Sequence, residues 1–433
     1  MKASYYNVFF PFEDKYILFN TLRGPIFVVD SEVKGLLEKN DVASLSDEYK
    51  EVFTDTGIII EDDLNEQDAY KVMYESSKYE KTSTALHVIT TYACNLACIY
   101  CYEGKGELES KSMDEKITRC AIQFIKNLTM NNNSKFLQIE LFGGEPMLNM
   151  PMNLLVTKEL SEWCGENGIK FVVDTITNGT LLTEKNVEDL AQYDSSFLVT
   201  LDGPKEIHDK RRIYKNKTGT FDDIMEGLHR VRDLDLSTMI RINVDEINKD
   251  HVVRLFEFLK DEGLNKAVIS IKPVFNTSPA CLSYGFCMPD VGSLQIVNDF
   301  YTTARKMNFK TEDPEKPIPQ GACNAQRAAY FTIDPHLRLF KCAILPPYEK
   351  NAVGTVSMED AAPVFNPVHV DFMSRDPLAL EECSTCQLVT ICRGGCPVEV
   401  YDTQGTTHGC ACRKDGMYDT IRENLESFVQ KNM

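Results

Sequence analysis

The sequence predicts an α/β protein whose centre is a partial (β/α)6 barrel, preceded by a small strand-rich unit and followed by a cysteine-rich segment. Three observations carry that reading. Six apolar runs alternate with six amphipathic helical patterns between residues 86 and 304. The stretch C-N-L-A-C-I-Y-C-Y, from Cys94 to Tyr102, puts three thiols within eight residues just past the first of those runs. A second group of cysteines crowds the last third of the chain.

At 433 residues the chain has room for about three domains of ~150 residues. The boundaries suggested are 1–80, 81–310 and 311–433. No run reaches the ~18 apolar residues of a membrane span, and M-K-A-S-Y-Y lacks the apolar segment of a signal peptide. The expectation is a soluble, cytoplasmic protein with no membrane partner. The 15 cysteines gather in C-x2-C and C-x3-C spacings, which suit metal ligation better than a disulfide framework. A net charge of -19 argues against a nucleic-acid partner, whose phosphates would be repelled over most of the surface.

Taken in order, 6–12, 16–22 and 25–29 are short aromatic and β-branched runs separated by Glu13-Asp14 and Arg23-Gly24. They suggest a three-stranded ribbon. Helical patterns follow at 31–39, with Val33, Leu36 and Leu37 on one face, and at 46–53. An acidic stretch, 61–80, reads as a partly helical linker.

Strands are then expected at 86–91, 136–142, 170–176, 197–201, 239–244 and 268–274. Helices are expected at 114–128, 154–164, 184–190, 221–231, along the stripe Val252, Leu255, Phe256 and Leu259, and at 294–304. Near-continuous apolar strands imply a parallel sheet covered by helices. Six units are too few to close an eight-stranded barrel. Cys94 falls where loops at the carboxyl ends of parallel strands build active sites.

Three clustered thiolates, Cys94, Cys98 and Cys101, fit a [4Fe-4S] cube, since soft sulfur donors satisfy three irons and leave the fourth open. A structural zinc would want a fourth donor, and none follows before Cys120. The C-x3-C-x2-C spacing followed by an aromatic resembles the signature of the radical S-adenosylmethionine (SAM) superfamily. Later strand ends strengthen the resemblance. Gly143-Gly144-Glu145-Pro146 resembles the family's G-G-E-P segment, which implies contact with the SAM amino group. Thr177-Asn178-Gly179 is similar to the segment near the SAM ribose, and Thr200-Leu201-Asp202-Gly203 resembles S-L-D-G. The resemblance implies that the Thr200 hydroxyl and Arg212 contact SAM, the guanidinium pairing bidentately with a carboxylate; Arg211 keeps the register open by one. Arg241 and Asn243 end the fifth strand and are candidates for lining the same cavity. Tyr102 would shield the cluster or simply pack.

The cysteines of the last third, Cys383-x2-Cys386-x5-Cys392-x3-Cys396 with Cys323, Cys342, Cys410 and Cys412, resemble the SPASM extension of radical SAM peptide and protein maturases. That resemblance implies two auxiliary clusters, hence three [4Fe-4S] clusters in all, with SAM. Cys383, Cys386, Cys392 and Cys410, or else Cys412, would hold the distal one; Lys414, four residues after Cys410, favours Cys410. Cys323, Cys342 and Cys396 would hold the proximal one, whose fourth position is open to a substrate cysteine or to Cys281 or Cys287. The sulfatase-maturating branch carries an aspartate where this chain has Ala343; Asp334 is the candidate substitute. The N-terminal ribbon with helices resembles a winged-helix element that takes a leader peptide as an added strand.

Cys120 and Cys164 read as buried apolar residues, Trp163 as packing, and His208 and His408 as solvated loop positions. The function implied is an oxidoreductase that cleaves SAM to a 5'-deoxyadenosyl radical and takes hydrogen from a ribosomally made precursor peptide, forming a cysteine thioether. Sulfatase activation, carbon–carbon crosslinking, epimerisation and a non-enzymatic iron–sulfur electron carrier are the alternatives. A low-potential donor, flavodoxin or ferredoxin, is the expected redox partner.

Overall fold

The computed structural model describes residues 1–101, 110–274, 284–288, 293–312, 317–345, 347–412 and 414–432. Tyr102 and Cys281 lie outside these. Where the sequence suggests three successive domains, the chain divides into two interleaved compact units, one of 1–79, 314–327 and 373–433, the other of 80–313 and 328–372.

The second unit contains the six expected strands, Ser83–Thr91, Phe136–Gly143, Lys170–Thr177, Ser195–Thr200, Ser237–Val244 and Val268–Pro273. Each pairs in parallel with the next in sequence. Two short strands extend the array in the same sense, Lys310–Thr311 beside the sixth and Tyr330–Ile333 beside the first. The strands Arg338–Phe340, Gly354–Val356 and Pro363–Phe365 then continue it antiparallel. Among the described residues the two ends of the sheet stay unpaired, so the barrel is partial.

Alternation sets the two faces. On the fifth strand Ile240, Ile242 and Val244 are fully buried, while Arg241 and Asn243 point to the other, partly accessible side. Helices cover the apolar side with the stripes read from the sequence, Phe221, Ile224, Leu228 and Val231 on Phe221–Asp233 and Val252, Leu255, Phe256 and Leu259 on Val252–Asp261. Fully burying such side chains contributes about 1.5–3 kcal/mol each. Gly179 has a positive φ of 85° and stands where a Cβ would lie 2.7 Å from Val199, so the third strand turns there without a side chain.

In the first unit, Asn7–Phe12, Lys15–Asn20 and Ile26–Val29 form a three-stranded antiparallel sheet. The helices Ser31–Glu38 and Asp47–Thr56 lie on one face, where Leu18 packs with Val33, Leu37 and Phe53. On the other face Phe10, Ile17 and Phe19 pack against Ile421, Leu425 and Val429 of the helix Lys414–Asn432. The stretch read as a linker is largely the helix Glu66–Lys78, capped by Asn65. Among the described residues, no helix is long and apolar enough to cross a membrane.

Candidate active site at the strand ends

The cysteine loop leaves the first strand and is clamped on both sides. On one side, Gly144 N–H donates to Thr91 O at 3.2 Å and Glu145 N–H to Ala93 O at 2.8 Å. A Cβ on Gly144 would fall 2.4 Å from the carbonyl oxygens of Tyr92 and Ala93, and one on Gly143 2.4 Å from Thr91 O. Only glycine lets these backbones approach so closely. On the other side, the backbone at 211–215 runs along the loop: Ala97 N–H donates to Ile213 O at 2.8 Å and Ile99 N–H to Arg211 O at 3.0 Å.

Glu145 is fully buried. Its carboxylate accepts from Met147 N–H at 3.1 Å, Thr177 Oγ1 at 2.7 Å and Asn178 N–H at 2.7 Å. Burial pushes its pKa up, against the pull of those three donors. The side chain thus ties the second strand end to the third. Pro146, also buried, accepts from Asn153 Nδ2 through its carbonyl at 2.6 Å. Asn178 continues the tie, its Nδ2 donating to Asn95 Oδ1 at 2.8 Å and reaching Cys94 Sγ at 3.9 Å.

Tyr100, inside the cysteine motif, is a hub that sequence reasoning missed. Its hydroxyl donates to Asp202 and accepts from Arg212 Nη1 at 2.8 Å and Asn243 Nδ2 at 3.1 Å. Arg211 is turned the other way. It lies over the Tyr100 ring at 4.8 Å and pairs with Asp245 at 2.8 Å and Asp202 at 3.9 Å, all three carboxylate and guanidinium groups being fully buried. Arg212 keeps a buried Nε with no partner, in a side chain only 7% exposed. The Thr200 hydroxyl also lacks a hydrogen-bond partner among the described residues. Arg241 is drawn off to the sixth strand, where its Nε donates to Ser270 Oγ at 3.3 Å. Cys287 packs with Ile99, Tyr100, Val274 and Tyr284 beside this loop.

The donor set fits an iron–sulfur cube and an anionic ligand. Burial raises the Cys94 thiol to about 11 and pushes Cys98 up, with the Arg212 charge pulling Cys98 back. Thiols so buried rest as neutral groups or as metal thiolates. Leu96 N–H reaches Cys94 Sγ at 3.4 Å, the kind of contact that tunes bound sulfur. Among the described residues no three His, Cys, Asp or Glu side chains converge as they would on a single ion; a cube gives each thiolate an iron of its own.

His208 is not the solvated loop residue the sequence suggested. It lies on the short helix Lys205–Arg211, fully buried, with Nδ1 accepting from Asp202 N–H at 3.2 Å and Nε2 3.0 Å from Thr220 Oγ1. Burial first, then the Arg212 charge, holds its pKa down at about 3. Since the unfolded chain takes up a proton near pH 6.5 that the folded one refuses, stability is full above about pH 6.5 and falls on acidification, by on the order of 1 kcal/mol per unit. Urea melts of the iron-free protein at about pH 7.5 and 5.5 should show this loss, and His208→Gln should shrink it; an equal slope in the variant would overturn the assignment. His408 is exposed, as expected.

In the other unit, Cys383, Cys386, Cys392, Cys410 and Cys412 gather. Cys383 Sγ lies 3.5 Å from Cys410 Sγ, and Cys392 feels the charge of both Cys412 and Cys386. Cys323 and Cys396 belong to the same unit, where burial first and the nearby Cys323 sulfur after it push the Cys396 thiol up, whereas Cys342 belongs to the barrel unit. Cys164 is fully buried, as expected, and Cys120 is half-buried with Sγ 3.4 Å from Ser357 O.

Residues 88–259 match the Radical SAM superfamily. The chain carries a radical SAM domain, and the protein is an enzyme related to peptide and protein maturases. It is 31% identical over 173 residues to the uncharacterized protein MJ0907 of Methanocaldococcus jannaschii, a match over 39% of this chain and 56% of that protein. To the radical SAM cyclopropyl synthase TigE of Paramaledivibacter caminithermalis it is 23% identical over 444 residues, 91% of this chain and 89% of the relative. The fold is similar to that of anSMEcpe with bound AdoMet and Cp18Cys peptide, with a TM-score of 0.64 and 17% identity over 81% of this chain and all of that one. The superfamily implies SAM and one [4Fe-4S] cluster.

Proposed function

We propose that this enzyme modifies a ribosomally made precursor peptide and joins a cysteine sulfur to a carbon as a thioether. Cys94, Cys98 and Cys101 would hold the cluster, with the backbone of Gly143 and Gly144, the Asn178 side chain, the Thr200 hydroxyl and Arg212 around SAM. When bound, the pair supplies one electron to the sulfonium and a 5'-deoxyadenosyl radical that takes hydrogen from substrate. The chain's own part is orientation. Tyr100 presents Arg212, Glu145 fixes the loop behind Cys94, and the unpartnered Arg212 Nε is the observation that carries the SAM site. A buried donor without a partner costs free energy that an anionic carboxylate would recover.

The peptide reading is supported by the relative that aligns along nearly the whole chain, and by a three-stranded sheet whose outer strands are, among the described residues, each paired on one side only. An extended leader could add there through backbone hydrogen bonds. Cys383, Cys386, Cys392 and Cys410 would hold an auxiliary cluster, which the gathering of these thiols supports. Ferredoxin or flavodoxin would deliver electrons.

Carbon–carbon bond formation is the second reading, favoured by the cyclopropyl synthase relative. Sulfatase activation is also compatible with the relatives, although Asp334, the candidate substitute base, is fully buried and bonded to Tyr92, His336 and Arg338. Anaerobic reaction with SAM, dithionite and a cysteine-containing precursor peptide separates these. A product that has lost two hydrogens and one alkylatable thiol supports the thioether. Loss of the hydrogens with every thiol intact supports carbon–carbon bonding, and absence of 5'-deoxyadenosine overturns both.

A further inference from the structure

Arg375 is fully buried in the unit that holds the second cysteine group, and its guanidinium faces backbone. Nη1 donates to the carbonyls of Thr407 and, at 2.8 Å, Gly409. Nη2 donates to Gly394 O at 2.9 Å and Arg393 O at 3.4 Å. These carbonyls belong to the two loops that carry Cys392 and Cys410. Nε has no partner, and Asp376, the adjacent carboxylate, is turned to Lys71 and Leu378 N–H.

The geometry brings the cation to the sulfurs. A Cβ on Gly394 would fall 2.8 Å from Arg375 Nη2 and 3.5 Å from Cys383 Sγ, so guanidinium and sulfur border the same glycine. The backbone behind Arg375 is fixed by Lys78, 1% exposed, whose Nζ donates to Met373 O at 3.0 Å and Arg375 O at 2.7 Å. A buried cation without a carboxylate is expensive unless an anion stands nearby.

We propose that Arg375 is a positioning residue for an auxiliary iron–sulfur cluster, holding its two cysteine loops together and favouring its reduced state through the positive charge. The inference rests on the auxiliary-cluster reading above. Reduction adds one negative charge to the cluster, and a cation in a low-dielectric surrounding favours the state that gains it.

The test uses the full chain with Cys94, Cys98 and Cys101 changed to alanine, reconstituted with iron and sulfide. The paramagnetic signal lost on a further Cys383→Ala change belongs to the site in question, and its midpoint is read by dithionite titration. Arg375→Gln should lower the reduced-to-oxidised ratio at a fixed potential about tenfold, a shift of about 59 mV for one electron. Arg375→Lys, which keeps the charge but not the four-carbonyl clamp, should hold the midpoint near that of the parent at lower iron content. An unchanged midpoint in Arg375→Gln at full iron overturns the proposal, as does a Lys variant shifted as far as the Gln one. If Arg375→Gln takes up no iron, the Lys variant decides by the same midpoint. Absence of any Cys383-dependent signal in the parent overturns the auxiliary-cluster reading instead.

Discussion

Cys98→Ala is expected to leave a folded protein that forms no measurable 5'-deoxyadenosine. Cys98 is 9% exposed, and trimming one buried sulfur costs about 1 kcal/mol of stability. The loss of activity should be far larger, because removing a ligand exceeds the roughly 10–100-fold penalty of losing a ligand's supporting partner. Cys164→Ala is the control. That thiol is fully buried in the helix Met150–Asn167, away from the strand ends, and its variant should cleave SAM at the parental rate with a similar small change in stability. Anaerobic reconstitution followed by chromatography of the nucleoside products measures both. Equal activity in the two variants would remove the cysteine loop from the chemistry.

Arg211→Met is expected to destabilise the iron-free protein by about 3–5 kcal/mol, since it strands the buried Asp202 and Asp245 without their cation. A marginally stable domain would lose a large part of its total stability. Changing Asp245 to Asn in the same chain should return part of the loss, because one of the two orphaned charges is gone. Urea denaturation of the three proteins provides the comparison. A single-variant cost below about 1 kcal/mol would show that the carboxylates are solvated rather than locked under Tyr100.

The barrel was legible because its strands are continuous apolar runs and its helices carry clear stripes, so local pattern and tertiary burial agree. All six strands lie within three residues of where the sequence puts them. The strands at Tyr330–Ile333, Arg338–Phe340, Gly354–Val356 and Pro363–Phe365 were not legible, being three or four residues long and defined only by their neighbours. The cysteine spacing pointed to a candidate cluster loop directly, because all three thiols lie within one short stretch of sequence. Tyr100 was not legible, since its partners Asp202, Arg212 and Asn243 come from other parts of the chain and meet only in the fold. His208 was misread because H-D-K-R-R looks solvated, whereas in the fold its ring is fully buried between Asp202 N–H and Thr220 Oγ1. Arg375 was hidden for the same reason in S-R-D-P, where nothing local announces a buried guanidinium.

The small N-terminal sheet closes one of its faces with residues near position 429, and this has a bearing on biosynthesis. With ribosomes adding about 5–20 residues per second, strands ending at Val29 would wait roughly 20–80 s before Val429 emerges to cover them. During that interval Phe10, Ile17 and Phe19 present a sticky surface to solvent. Chaperone demand in an expression host should therefore track the last helix: truncating it ought to send the product into inclusion bodies while the barrel residues retain their protease resistance.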